Sequence, residues 1–149
     1  MSVPVGVVVL AIAVLVAVVF GVYRKRTDGN LNVVTESTPT TPVTPAHPDR
    51  LTPEQIGAEF GEQATLVQFS SAFCQPCRAT RLVLERITTV VPGVRHVEVD
   101  AESHLDLVRA LDIRRTPTTL VLRSDGSIAR RAAGVPREAE VIAAIGELV

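Results

Sequence analysis

The sequence predicts an α/β fold, with a mixed central sheet flanked by helices, preceded by one transmembrane helix. Three observations predict it. Strand-like and helix-like patterns alternate from residue 51 onward, Ser124-Asp125-Gly126 separates two strand-like runs, and residues 5 to 22 are apolar and uncharged throughout. Alternating strands and helices mark β-α-β units, and a short Asp-Gly turn between strands marks an antiparallel hairpin.

The first segment is the apolar one. From Val5 to Val22 there are 18 consecutive residues without a polar side chain, roughly 27 Å of helix and enough to cross a bilayer. Pro4 suits a first helical turn. A cleaved signal peptide would carry positive charge before the run and a small-residue cleavage site after it. Here Arg24, Lys25 and Arg26 follow, directly behind Tyr23. Residues 1–23 therefore read as an uncleaved membrane anchor. By the positive-inside rule its N-terminus lies outside the cell membrane and the rest of the chain in the cytoplasm. Residues 24–50 hold Pro39, Pro42, Pro45 and Pro48 among Thr, Ser and Glu. Such a composition cannot bury enough surface to fold, and it reads as a disordered linker.

Residues 51–149 mix polar and apolar side chains as a folded domain does. They carry 11 Lys plus Arg against 13 Asp plus Glu, and the chain has 3% aromatic residues and no Trp. Neither a basic surface nor a set of stacking platforms is present, which argues against a nucleic-acid partner. No internal repeat is visible, and the domain is expected to act as a monomer. Thr52-Pro53-Glu54-Gln55 reads as a capped helix start, with the helix continuing to about Phe60. Thr65 to Ser70 reads as a buried strand. From Cys77 onward Val83, Leu84, Ile87, Val90 and Val91 recur at helical spacing. Val94 to Val99 reads as the next strand, Ser103 to Leu111 as a helix, and the strand–helix–strand unit as parallel and right-handed. Thr118 to Arg123 and Ser127 to Ala133 form the hairpin, and Pro136 opens a last helix to about Leu148.

Two cysteines cannot form the disulfide framework of a small secreted domain. Cys74 and Cys77 instead stand where the first strand meets its helix. Unpaired N–H groups and the positive dipole end of a helix N-terminus favour a thiolate there. This makes Cys74 the expected nucleophile on a substrate disulfide. Cys77, one turn further in, is close enough to close a disulfide and resolves the mixed disulfide. Pro76 costs little in a first turn, because its missing N–H would be unpaired anyway. Arg78 is placed to lower the local thiol pKa, with a solvated arginine as the plainer account.

Cys-x-x-Cys beside a β-α-β pattern is the general signature of thioredoxin-like redox domains. The chain from about Leu51 to Val149 resembles the thioredoxin family in Leu66-Val67-Gln68-Phe69, Phe73-Cys74-Gln75-Pro76-Cys77 and Val97-Glu98-Val99-Asp100. The likeness continues through Asp112-Ile113-Arg114-Arg115-Thr116-Pro117-Thr118, Gly126 and Gly134. The resemblance implies a thioredoxin fold with a cis Pro117 facing the cysteines, a Thr116 whose backbone pairs with bound peptide, and Phe73 as a further substrate contact. It implies a protein-disulfide oxidoreductase with no cofactor beyond a redox-active Cys74–Cys77 disulfide, and the reducing thiol pool of the cytoplasm would make such a domain a reductase. Its partners would be protein disulfide substrates and a thiol that recycles the pair, with the membrane engaged through residues 5–22.

The departures are specific. The family usually has Trp at Phe73, Gly at Gln75 and a buried Asp at Gln68. That Asp manages the proton of the second cysteine, and Gln68 cannot ionise. Cys77 then needs another acceptor, water or His96, which falls at the place of a family lysine. The first family strand is missing. Other readings remain open: two inert buried cysteines, half of a zinc site, a non-enzymatic docking module at the membrane, or an extracytoplasmic thiol–disulfide interchange protein. Zinc would need two more ligands, and His47, His96 and His104 form no second spaced pair. Arg114 and Arg115 are candidates to attract acidic substrates, with a solvated charge pair the plainer reading.

Overall fold

The structure, a computed structural model, describes residues 5–27, 31–33 and 49–148. Helix α1 spans Val5–Thr27. Strand β1 (Leu31–Val33) precedes α2 (Pro53–Ile56), β2 (Ala64–Ser70), α3 (Gln75–Val90) and β3 (Val94–Asp100). Helix α4 (Leu105–Ala110), strands β4 (Thr118–Arg123) and β5 (Ile128–Ala133), and α5 (Glu138–Gly146) complete the order.

The strands form one mixed sheet in the order β1-β5-β4-β2-β3. β2 and β3 are parallel and joined through α3, while β2–β4, β4–β5 and β1–β5 are antiparallel. All seven residues of β2 are buried, as expected of a strand covered on both faces. Its alternation feeds two cores. Val67 and Phe69 join Leu51, Ile56, Leu111, Leu120 and Leu122 on the face of α2 and α4. Ala64 and Leu66 join Leu84, Ile87, Val121, Val141 and Ile145 on the face of α3 and α5. This is the expected thioredoxin fold, a mixed sheet between helices.

Several element ends differ from expectation for local reasons. The capping box is present, with Gln55 N–H donating to Thr52 Oγ1 at 3.4 Å and Thr52 N–H to Gln55 Oε1 at 2.9 Å. The helix stops at Ile56, however, because Gly57 takes a left-handed φ of 71° and ends it. On α3 the buried stripe is Cys77, Thr80, Leu84 and Ile87, whereas Val90 is exposed. The folded domain also begins before residue 51. Arg50 bridges to Ser127, and Ile128 N–H donates to the Asp49 carbonyl at 2.9 Å.

The N-terminal segment requires a correction. Among the described residues no helix is long and apolar enough to cross a membrane. The cell-membrane location, the span at residues 5–22, and the outside N-terminus with a cytoplasmic domain are thereby overturned. Within the expected linker, Leu31–Val33 pair with β5 as a short edge strand. The proline-rich part, residues 34–48, lies outside the described residues, as do residues 1–4, 28–30 and 149.

Candidate functional site

The site forms where β2 runs into α3. Ser70 ends the strand, Ser71 to Phe73 turn, and Cys74 is the N-cap of α3. Its Sγ accepts a hydrogen bond from the Cys77 backbone N–H at 3.1 Å. Pro76 occupies the first helical turn, where it removes no needed donor. Cys74 and Cys77 are joined as a disulfide with Cα atoms 5.2 Å apart. Their surroundings differ. Cys77 is only 3% exposed, Cys74 is half-buried at the surface, and Phe73 beside it is 99% exposed.

The loop before β4 approaches the same turn. The Thr116–Pro117 peptide is cis, as the family resemblance implies. Ser71 Oγ and Thr116 Oγ1 share a hydrogen bond at 3.2 Å, and Cys74 N–H donates to the Ser71 carbonyl at 3.2 Å. Two short contacts thus connect the residue before Pro117 to the first cysteine. Pro117 itself is buried, and Thr116 is half-buried.

On the α3 side of the sheet a cleft of about 530 Å³ is lined by Ser70, Ser71, Cys74, Cys77, Arg81 and Glu98, with Arg78 and Asp100 at it as well. Gln68 lies beneath, fully buried, and donates through Nε2 to the Cys77 carbonyl at 3.0 Å. The same Nε2 is 3.5 Å from Glu98 Oε1. Turning the amide over would set its oxygen against a carbonyl and a carboxylate, so the hydrogen bonds fix its orientation. Gln68 and Glu98 are register partners on the parallel pair β2–β3. Glu98 also accepts from Ser70 Oγ at 2.6 Å and pairs with Arg81 at 2.5 Å. Burial pushes the Glu98 carboxyl up, but hydrogen bonds from Arg81 and Ser70 and the Arg81 charge outweigh it and hold the group below its ordinary value.

His96 is placed differently from the role expected of it. It is the register partner of Leu66 and is not among the residues lining the cleft. Burial lowers its pKa, and its Nε2 is buried without a hydrogen-bond partner among the described residues. The ionisable group beside Gln68 is Glu98 instead. Sequence reading missed Glu98, Ser70, Ser71 and Arg81. No sequence signal marked Glu98, because only the register of β2 and β3 brings it beside Gln68.

Fold and site together define an α/β protein that presents a vicinal cysteine pair at a helix N-terminus beside a cis-proline loop. The thioredoxin family profile matches residues 52–147, and the chain belongs to the thioredoxin family. Thioredoxin H5 of Oryza sativa subsp. japonica is 30% identical over 77 residues, which cover 52% of this chain and 56% of the rice protein. Thioredoxin C-2 of Corynebacterium nephridii is 32% identical over 77 residues, covering 51% of this chain and 71% of that one. The chain therefore spans little more than half the length of the rice relative. Among solved structures, mitochondrial thioredoxin 3 of Saccharomyces cerevisiae superimposes with a TM-score of 0.51 at 21% identity, covering 58% of this chain and 80% of its own. A thioredoxin mutant of Halobacterium salinarum does so with a TM-score of 0.53 at 20% identity, covering 58% and 75%. At these identities the structural likeness speaks for the fold.

Proposed function

We propose that the protein is a thiol–disulfide oxidoreductase that reduces protein disulfides, with Cys74 as nucleophile and Cys77 as resolving thiol. The observation that carries this reading is the disulfide between a half-buried N-cap cysteine and a buried one a turn further into α3. In the dithiol form the Cys74 thiolate is favoured by the helix N-terminus and the Cys77 N–H. It attacks one sulfur of the substrate disulfide, and the other leaves as a thiolate. Cys77 then attacks Cys74 Sγ, the substrate's second sulfur leaves, and the Cys74–Cys77 bond forms. Two electrons pass from the cysteine pair to the substrate, and a partner thiol must restore the dithiol.

Phe73 is the apolar contact for substrate next to the reacting sulfur. Thr116 supplies backbone hydrogen bonds to an extended substrate segment, and Pro117 shapes that loop. The site needs no cofactor other than its own disulfide. The test is reduction of insulin disulfides by the full chain with dithiothreitol as recycling thiol. The expected result is turnover that Cys74→Ser abolishes; absence of turnover, or equal turnover by the variant, would overturn the reading.

A further inference from the structure

When Cys77 resolves a mixed disulfide it must first lose a proton, and the strand beneath it offers only Gln68, which cannot take one. We propose that Glu98, on the neighbouring strand, is the proton acceptor for Cys77, reached through one water of the cleft that both residues line. The inference rests on the proposed oxidoreductase function and deepens it.

Four observations carry it. Glu98 and Cys77 open onto the same cleft, whose roughly 530 Å³ has room for several waters at about 30 Å³ each. Gln68 Nε2 bridges the two, 3.0 Å from the Cys77 carbonyl and 3.5 Å from Glu98 Oε1. Ser70 fixes that same carboxylate oxygen at 2.6 Å, so the acceptor is positioned before a proton arrives. The other candidates are elsewhere or engaged. His96 is outside the cleft lining, and Asp100, which lines it, accepts from Glu102 N–H and Ser103 Oγ of its own turn.

The charged groups around Glu98 come from two elements. Helix α3 contributes Arg78, Arg81 and Glu85, strand β3 contributes His96 and Asp100, and β2 contributes only neutral Gln68 and Ser70. Arg81 is the strongest of these, pairing with the carboxylate at 2.5 Å. It holds Glu98 ionised, ready to receive a proton, and weakens it as a base. The Cys77 thiol proton passes through water to the Glu98 carboxylate, and the Cys77 thiolate attacks Cys74 Sγ. The bond from Cys74 to the substrate sulfur breaks, and the departing thiolate takes the proton from Glu98 or from solvent.

The test mixes the fully reduced full-length protein with an aromatic disulfide that releases one coloured thiolate on attack by Cys74 and a second on resolution by Cys77. Both phases are followed from pH 4 to pH 9. Glu98→Gln is expected to slow the second phase at least about tenfold at pH 7, below the usual range for a positioned base. The first phase should be unchanged, and the deficit should close near pH 9, where a thiol of ordinary pKa, about 8.5, ionises unaided. Glu98→Asp should recover part of the rate. Arg81→Gln should move the acid limb of the second phase to higher pH, because burial then dominates at Glu98. A second phase in Glu98→Gln that superimposes on wild type, or is faster, overturns the proposal. So does an unmoved acid limb in Arg81→Gln, which serves should Glu98→Gln fail to fold. Absence of both phases in the wild type instead overturns the oxidoreductase reading, and this proposal with it.

Discussion

Cys74 and Cys77 are three residues apart yet have different surroundings, so their removal should leave different chemical traces. Cys77→Ser keeps the accessible nucleophile and deletes the resolver. It should accumulate a covalent adduct of Cys74 with substrate, seen as added mass under non-reducing conditions, whereas Cys74→Ser should give none. His96 yields a stability prediction. Because burial lowers its pKa in the fold, the unfolded chain binds its proton more readily. Its contribution is fully present above the unfolded value of about 6.5 and is lost as pH falls from there through the folded value. The urea midpoint should therefore drop between pH 7 and pH 5, and the drop should be smaller in His96→Gln; an equal drop in both would exclude His96 as its source. At this scale the cysteine pair was legible because its chemistry depends on spacing and on one helix end. Pro117 and Thr116 were legible only through family resemblance. Glu98 was not, since its place beside Gln68 is set by the register of two strands separated by a whole helix.

Caps and turns decide where each element begins and ends. Thr52→Ala removes the side-chain half of the capping box and should cost about 1 kcal/mol in urea unfolding. Gly126 is more constrained. Its φ is 85°, and a Cβ there would meet the Leu51 carbonyl oxygen at 2.4 Å and the Phe60 ring at 2.7 Å. That carbonyl belongs to the residue whose N–H donates to the Gly126 oxygen at 2.9 Å. A strain-free Gly→Ala exchange stabilises by up to about 1 kcal/mol, but at this left-handed, crowded position Gly126→Ala should destabilise by more than that, and a neutral result would mean that the turn adapts. Strand and helix identities from Thr65 to Leu148 were legible because apolar periodicity and turn residues agree. The early stop of α2 was legible in Gly57 only once its left-handed conformation was known. Val90 continued the apolar stripe of α3 in sequence, yet it stands exposed in the last turn, beyond the reach of the packed sheet face.

Across the whole molecule, the buried β2 places the redox turn at the end of a strand packed on both faces. Phe69 is fully buried in one of the two cores, and Phe69→Ala should cost about 3–5 kcal/mol. That is a large part of the 5–15 kcal/mol typical of a domain. The loss should appear as a lower urea midpoint, and a change below about 1 kcal/mol would show that the core closes over the gap. The strand order was less legible than the elements. Nothing in the composition of residues 24–50 singles out Leu31–Val33 as a partner for β5, because three residues carry too little pattern. At the opposite border, β3 has no strand beside it among the described residues. An unpaired border strand is a template on which foreign chains can add and grow into aggregates. β3 shows exposed Arg95, Glu98 and Asp100 among its seven residues, and charges at such a border make the addition of another strand unfavourable. The carboxylate that faces the cysteines thus also belongs to the row of charges that keeps the molecule apart from its own copies.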